Sequence, residues 1–345
     1  MKNSIYVCYT LYHLYITLLK AYSDFNKFGI KSDIVLTDHI DNADFFLRQL
    51  NEIKFDFIDK VFFVPDKLIT NNINKNIYNK FFYKRFIMNE YKGYSSLFND
   101  KEIFIFLDIT NLSRFLMFKY KKVNLIEDGY GIYRSYNISL KDIIKNILGI
   151  PLGWGRSKYV SKIYVNFPDK INAKIKNKIL HLNLAELENL NKKDIEYVKK
   201  LLNLFNLNEK HLNNLRNNKN SVLILTQPFS ESNFISEEEK IILYQQIIKK
   251  YLKKGFSVFL KPHPREKTEY SNFFSKDVFI FRKDFPIEII NFLSDFIQFD
   301  IVISVNSTSI NNIKNGKKIM LGLSINEKLK INYNKFLQLD LNNEF

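Results

Sequence analysis

The sequence predicts an α/β protein made of two successive Rossmann-like domains, and three observations carry that expectation. Short, almost wholly apolar runs alternate with segments of helical spacing, the rhythm of parallel strands covered on both faces. The rhythm runs through twice, with a polar stretch between the two series. The chain of 345 residues is 46% apolar and 15% aromatic, enough to fill two substantial cores.

The first series opens with SIYVC at 4–8, which reads as a buried strand. A helix is expected over 11–24, because Leu11, Leu14, Tyr15, Leu18, Leu19 and Tyr22 recur at helical spacing. Tyr9-Thr10 would form the turn between them. Apolar runs return at 34–36, 61–64, 103–107 and 122–126. Residues 138–160 break the pattern with an apolar segment that holds the single tryptophan, Trp154, and reads either as a loop packed on the domain or as a patch meeting membrane or acceptor. From 175 to 220 the chain is polar and rich in Leu, Asn and Lys, with periodicity around 191–205 that predicts one exposed helix with flexible flanks.

The second series follows: SVLILT at 221–226, a helix over 236–253, GFSVFLKPHP at 255–264, VFIF at 278–281, DIVIS at 300–304 and KKIMLG at 317–322. The predicted division is a first domain at 1–174, a linker with an exposed helix at 175–220, and a second domain at 221–345. There is no GxGxxG fingerprint, which argues against an ordinary dinucleotide-binding domain.

Lys plus Arg outnumber Asp plus Glu by 52 to 36, a formal charge of +16. Such a surface attracts nucleotides, nucleic acid or anionic lipid headgroups. The lysines are scattered in short groups and no zinc-finger, basic-zipper or arginine-rich arm accompanies them, so nucleic acid is not expected as a partner. One cysteine, Cys8, excludes intrachain disulfides and thiolate zinc clusters and points to a reducing compartment. The amino-terminal apolar stretch is interrupted by Tyr6, Tyr9, Tyr12, His13 and Tyr15 and lacks a small-residue cleavage site, so it does not read as a secretion signal. The expected location is cytoplasmic, with any membrane attachment peripheral on the inner face.

Three constellations stand at predicted strand exits, where open α/β sheets bind ligands. In LIEDGYG, residues 125–131, Glu127 and Asp128 point to different sides if the strand continues, so one carboxylate braces the turn while the other enters the cleft. The same residues also make an ordinary turn. In FLKPHPRE, residues 259–266, Pro262 and Pro264 restrict the backbone on either side of His263, and Lys261 and Arg265 add positive charge suited to a phosphate. In SVNSTSI, residues 304–310, hydroxyls precede a helix expected to begin near Thr308, whose free N–H groups would favour an anion; a plain helix cap fits equally.

With these motifs in order, the chain resembles the bacterial sialyltransferases of glycosyltransferase family 52, which are related in motifs to the bacterial polysialyltransferases. The resemblance covers most of the chain. Its parts are the amino-terminal IYVCYTLYH, the acidic-acidic-Gly motif Glu127-Asp128-Gly129, the His-Pro motif His263-Pro264, and Ser307-Thr308 where some relatives have Ser-Ser.

The resemblance implies GT-B architecture, with two Rossmann-like domains facing across a cleft, and an inverting reaction on CMP-sialic acid without an essential metal or other cofactor. It makes Asp128 the general base and gives His263 the leaving cytidine monophosphate. Ser307 and Thr308 would hold the phosphate. Lys261 and Arg265 join the donor site on charge and proximity alone. The implied acceptor is a terminal galactose or sialic acid of lipooligosaccharide or capsule, and an anionic inner membrane surface and a homodimer remain open as partners. Envelope transferases with a similar Lys-Pro-His-Pro turn use CDP-glycerol, so that donor or a UDP-sugar is the alternative, with a non-catalytic basic glycan-binding protein behind it.

Overall fold

The computed structural model describes residues 2–75, 82–128, 132–133, 150–171, 173–207, 220–293 and 297–343. The chain divides into two compact units, Met1–Leu204 and Phe205–Phe345.

Among the described residues, the first unit holds seven strands: β1 (Ser4–Cys8), β2 (Ser32–Thr37), β3 (Ile58–Val64), β4 (Glu102–Ile105), β5 (Val123–Ile126), β6 (Val160–Val165) and β7 (Ile179–His181). They form one sheet in the order β3-β2-β1-β4-β5-β6-β7, and every pairing is parallel. The order reverses between β1 and β4, which makes their carboxyl ends the topological switch point. The helices α1 (Leu11–Phe28), α2 (Ala43–Ile53), α3 (Lys67–Lys75), α4 (Tyr83–Glu90) and α5 (Asn111–Tyr120) connect the strands. All five residues of β1 are buried, as a central parallel strand requires.

Helix α1 starts and stops on local signals. The Thr10 side chain accepts from the His13 N–H at 3.2 Å, and Gly29, in the left-handed region at φ 68°, returns its N–H to the Phe25 carbonyl. An N-cap of this kind stabilises a helix by about 1 kcal/mol. It also holds the β1–α1 turn, on which the site is built.

The linker expected at 175–220 is corrected over its first part, because residues through Leu204 belong to the first unit. Strand β7 extends the sheet, and helices α6 (Leu184–Asn191) and α7 (Ile195–Leu204) pack back on α1 and α2. Tyr15 donates to Glu188 at 2.6 Å, Asn191 Nδ2 donates to the Leu19 carbonyl, and Tyr22 stacks on Tyr197 with ring centroids 4.4 Å apart. Leu201 and Leu204 are fully buried. Asn191 apart, the Asn and Lys of these helices, such as Asn189, Lys199 and Asn203, fall on the outer faces and disguise two amphipathic helices as a polar connector. Residues 208–219 lie outside the described part.

The second unit, among its described residues, is a parallel sheet of β8 (Ser221–Leu225), β9 (Ser257–Lys261), β10 (Val278–Ile280), β11 (Ile301–Ser304) and β12 (Lys317–Met320), in the order β10-β9-β8-β11-β12. Its switch point lies between β8 and β11. Helix α8 (Glu237–Leu252) carries a full capping box, Ser236 with Glu239, and has three glutamates in its first turn and Lys249 and Lys250 in its last. Both ends therefore complement the helix dipole. Helix α9 (Glu327–Asn343) follows the last strand. Among the described residues no helix is long and apolar enough to cross a membrane.

Candidate active site

In the first unit the carboxyl ends of β1, β4 and β5 gather a set of polar side chains. Glu127 is buried: its carboxylate accepts from the Tyr133 hydroxyl and from the Asn166 N–H, and burial raises its pKa above the usual carboxylate value. The next residue, Asp128, turns the other way and keeps about a third of its side chain exposed. One of its oxygens, Oδ1, lies 2.8 Å from Nε2 of His13, a side chain with no exposed surface on the first turn of α1. The His13 ring stacks on Phe106 at 4.3 Å, and its Nδ1 accepts from the Tyr9 N–H at 3.1 Å.

Asp108, at the exit of β4, is also buried and accepts from the N–H groups of Trp154 and Gly155, both at 2.8 Å. The part of segment 138–160 that begins at Ile150 is thereby tied to the sheet, with Gly153 so close to Ile109 that a Cβ there would stand 2.4 Å from Ile109 Cγ2. A small crevice is lined by Phe106, Asp108, Glu127, Asp128, Ile132 and Trp154. A larger open crevice of about 660 Å³ lies between the far half of α1 and helices α6 and α7. It sits away from the strand exits and has none of the motif residues in its lining. Gly129 and residues 138–149 lie outside the described residues.

In the second unit the exits of β8, β9 and β11 are bound together by side chains. Glu266 is the hub: buried, it accepts from the Tyr270 hydroxyl at 2.8 Å, from the His263 N–H at 2.7 Å and from the Thr226 hydroxyl. Burial raises its pKa, while those donors and the Lys240 ammonium oppose the rise. His263 is half-buried, and its Nδ1 accepts from the Arg265 N–H at 3.1 Å. The ring proton therefore resides on Nε2. Burial, then the positive charges of Arg265 and Lys261, push the His263 pKa down to about 4. Gln227 joins β8 to the β11 exit through Oε1, which accepts from the Asn306 N–H at 2.7 Å. Ser307 donates its N–H to Ser304 Oγ, and its own hydroxyl lies 2.6 Å from that of Ser309.

Two expectations for this unit change. Lys261 is 4% exposed, with Nζ donating to the carbonyls of Pro262 and Lys283 and standing 4.3 Å from the centre of the Phe285 ring. Its charge is enclosed in the scaffold and not presented to a ligand, because alternation along β9 puts it on the aromatic face with Phe259. The helix expected near Thr308 is a five-residue 3-10 turn, Thr308–Asn312, without a side-chain cap bond from Ser307. An α-helical N-terminus is thus missing from the anion argument, which leaves hydroxyls and loop N–H groups. The Thr308 side chain lies outside the described residues. Pro264 and Arg265 are exposed beside His263.

The family model for alpha-2,8-polysialyltransferase (POLYST) matches residues 4–319. The chain belongs to that family. It is a glycosyltransferase, and the matched span contains every motif residue discussed above. An uncharacterized protein of Haemophilus influenzae is 34% identical to this polysialyltransferase-family chain over 222 residues, 64% of this chain and 68% of that protein. Among solved structures, the spinosyn rhamnosyltransferase SpnG is similar with a TM-score of 0.50 at 8% identity, covering 96% of this chain and 89% of that one. That likeness shows the fold, two Rossmann-like units of the GT-B type. The alpha/beta-galactoside alpha-2,3-sialyltransferase of Photobacterium phosphoreum has a TM-score of 0.48 at 16% identity, covering 92% of this chain and 90% of that one. The UDP-GlcNAc 2-epimerase of Methanocaldococcus jannaschii has a TM-score of 0.49 at 16% identity, covering 97% and 92%.

Sequence reasoning did not assign His13, Asp108, Thr226, Gln227 or Glu266 to the site. Each stands at a strand exit or within a few residues of one, which was the available signal.

Proposed function

We propose that this polysialyltransferase-family glycosyltransferase is an inverting sialyltransferase that moves sialic acid from CMP-sialic acid to a terminal galactose or sialic acid of lipooligosaccharide or capsule. The observation that carries the reading is the separation of the two motif carboxylates, with Glu127 enclosed in hydrogen bonds and Asp128 open at the β5 exit.

In this reading Asp128 takes the proton of the acceptor hydroxyl, the resulting oxygen forms the new bond to the anomeric carbon, and the bond from that carbon to the phosphate oxygen of CMP breaks. The electron pair leaves with CMP. Nε2–H of His263 donates a hydrogen bond to the departing phosphate, with the Ser307 hydroxyl and Thr308 beside it and Arg265 adding charge. A depressed pKa makes this histidine a neutral donor at pH 7 rather than a stored acid. No metal or other cofactor takes part in the proposed reaction. The net charge of +16 favours work at an anionic inner membrane face.

The test is a panel of CMP-sialic acid, CDP-glycerol and common UDP-sugars, each with a galactose-terminated oligosaccharide, a sialic acid-terminated oligosaccharide and a polyol phosphate. CMP release that requires both CMP-sialic acid and a glycan acceptor is the expected result. Turnover of CDP-glycerol or a UDP-sugar in its place overturns the donor.

A further inference from the structure

The bonds made by His13 are unusually complete for a side chain that cannot meet substrate. The ring has no exposed surface, so it contacts neither donor nor acceptor. Its Nδ1 faces a backbone N–H, that of Tyr9, which can only donate. Nδ1 is therefore the acceptor, the ring proton sits on Nε2, and Nε2–H donates to Asp128 Oδ1. Phe106 stacked at 4.3 Å and 6° fixes the ring plane, and Thr10, accepting from the His13 N–H, fixes the backbone that carries it.

From this geometry we infer that His13 is the positioning residue for Asp128, holding Oδ1 so that Oδ2 is the oxygen that meets the acceptor hydroxyl. The inference rests on Asp128 acting as the base. It also defines where the proton goes. His13 already holds one on Nε2 and has its other nitrogen occupied by Tyr9, so the acceptor's proton stays on Asp128 and is not relayed inward. The β1–α1 turn is thereby a part of the catalytic apparatus even though none of its buried imidazole reaches the reacting atoms.

Two conservative variants separate this role from simple packing. In His13→Gln the side-chain amide reaches the place of Nε2 and still donates to Asp128, but the acceptor for Tyr9 is lost. In His13→Asn the side-chain oxygen takes the place of Nδ1 and still accepts from Tyr9, but the donor to Asp128 is lost. A structural role favours Asn; a positioning role favours Gln. The assay uses CMP-sialic acid and a galactose- or sialic acid-terminated oligosaccharide, whichever the wild-type chain turns over.

The expected result is a kcat for His13→Gln within about fivefold of wild type and a kcat for His13→Asn lower by about tenfold to a hundredfold, the cost of a mispositioned reacting group, with both KM values nearly unchanged. Adding His13→Asn to Asp128→Asn should then cost nothing further, because the two side chains act as one unit. Full activity in His13→Asn, a reversed order of Gln and Asn, or an independent loss in the double variant overturns the inference. Full activity in Asp128→Asn instead removes the base itself, so the two failures are told apart.

Discussion

Glu127 and Asp128 are neighbours in the chain and opposites in environment: the first carboxylate is enclosed and accepts from Tyr133 and from the Asn166 N–H, and the second is a third exposed and touches His13. Strand geometry at the end of β5 sends adjacent side chains to opposite sides, so one acid anchors the turn that presents the other. Exchanging either for its amide therefore has a different consequence.

Asp128→Asn should leave the fold intact and lower kcat by about 10²-fold or more, the loss expected when a positioned base is removed. Glu127→Gln should mainly reduce stability, by about 1 kcal/mol, since both Tyr133 and Asn166 donate to one oxygen, Oε2, which an amide oxygen can replace only without the negative charge that strengthens the two bonds. Thermal unfolding and initial rates on the two variants check the division. A destabilised Asp128→Asn with normal turnover per folded molecule would reverse the assignment.

Gln227 predicts a second separation, between donor binding and chemistry. Its Oε1 holds the Asn306 N–H at 2.7 Å and so fixes the start of the 306–309 loop, whose Ser307 is proposed to meet the donor phosphate. Gln227→Ala should raise the donor KM by roughly fivefold to tenfold, equivalent to the net worth of about one hydrogen bond, while the acceptor KM is unchanged. Steady-state kinetics with donor and acceptor varied in turn distinguishes this from a general loss.

The strand series was legible because every central strand is an apolar run that stops at a polar residue, so β1, β4, β5, β8, β9 and β11 and their exits could be placed from hydrophobicity alone. β6 and β7 escaped: the first mixes Lys162 and Ser161 into its run, and the second is three residues long with Leu180 and His181 exposed. The direction of Lys261 was readable in principle from alternation with Phe259, but its charge suggested a ligand and drew attention from the face on which it lies. His13 was present in the amino-terminal motif without a role, because its partner is 115 positions away and only the β1–β4–β5 neighbourhood brings them together. Pairing across that distance is a tertiary fact that no local pattern encodes.

Lys261 yields a prediction about pH. Burial lowers its pKa from 10.5 to about 7. Between these values the unfolded chain keeps a proton that the folded chain has released, so the lysine's contribution to stability rises as pH rises from about 7 toward 10.5. Below that window both states are protonated and the cost of enclosing the ammonium is fully present. Lys261→Met lacks the titration. The melting temperature of wild type relative to Lys261→Met should therefore increase between about pH 7 and about pH 9.5; a constant difference would show an ordinary lysine.

His263 titrates in the opposite part of the scale. Its pKa is about 4 in the folded chain against an ordinary 6.5, so as pH falls through that interval the unfolded chain gains a proton that the folded chain refuses. Stability contributed at this position is thus fully present above about 6.5, is lost progressively toward about 4, and changes no further below it. His263→Gln removes the titration, so wild type should lose melting temperature faster than the variant on going from about pH 7 to about pH 4.5. The same neutral ring explains the catalytic expectation. Because Arg265 occupies Nδ1, what His263 offers a departing phosphate is the single Nε2–H, a bond that the side-chain amide of Gln reproduces and the methyl of Ala does not. His263→Ala should lower kcat by about 10²–10³-fold, the cost of losing one donor to developing negative charge, and His263→Gln by distinctly less. Equal losses in the two variants would show that a proton, and not a hydrogen bond, is what the leaving group requires.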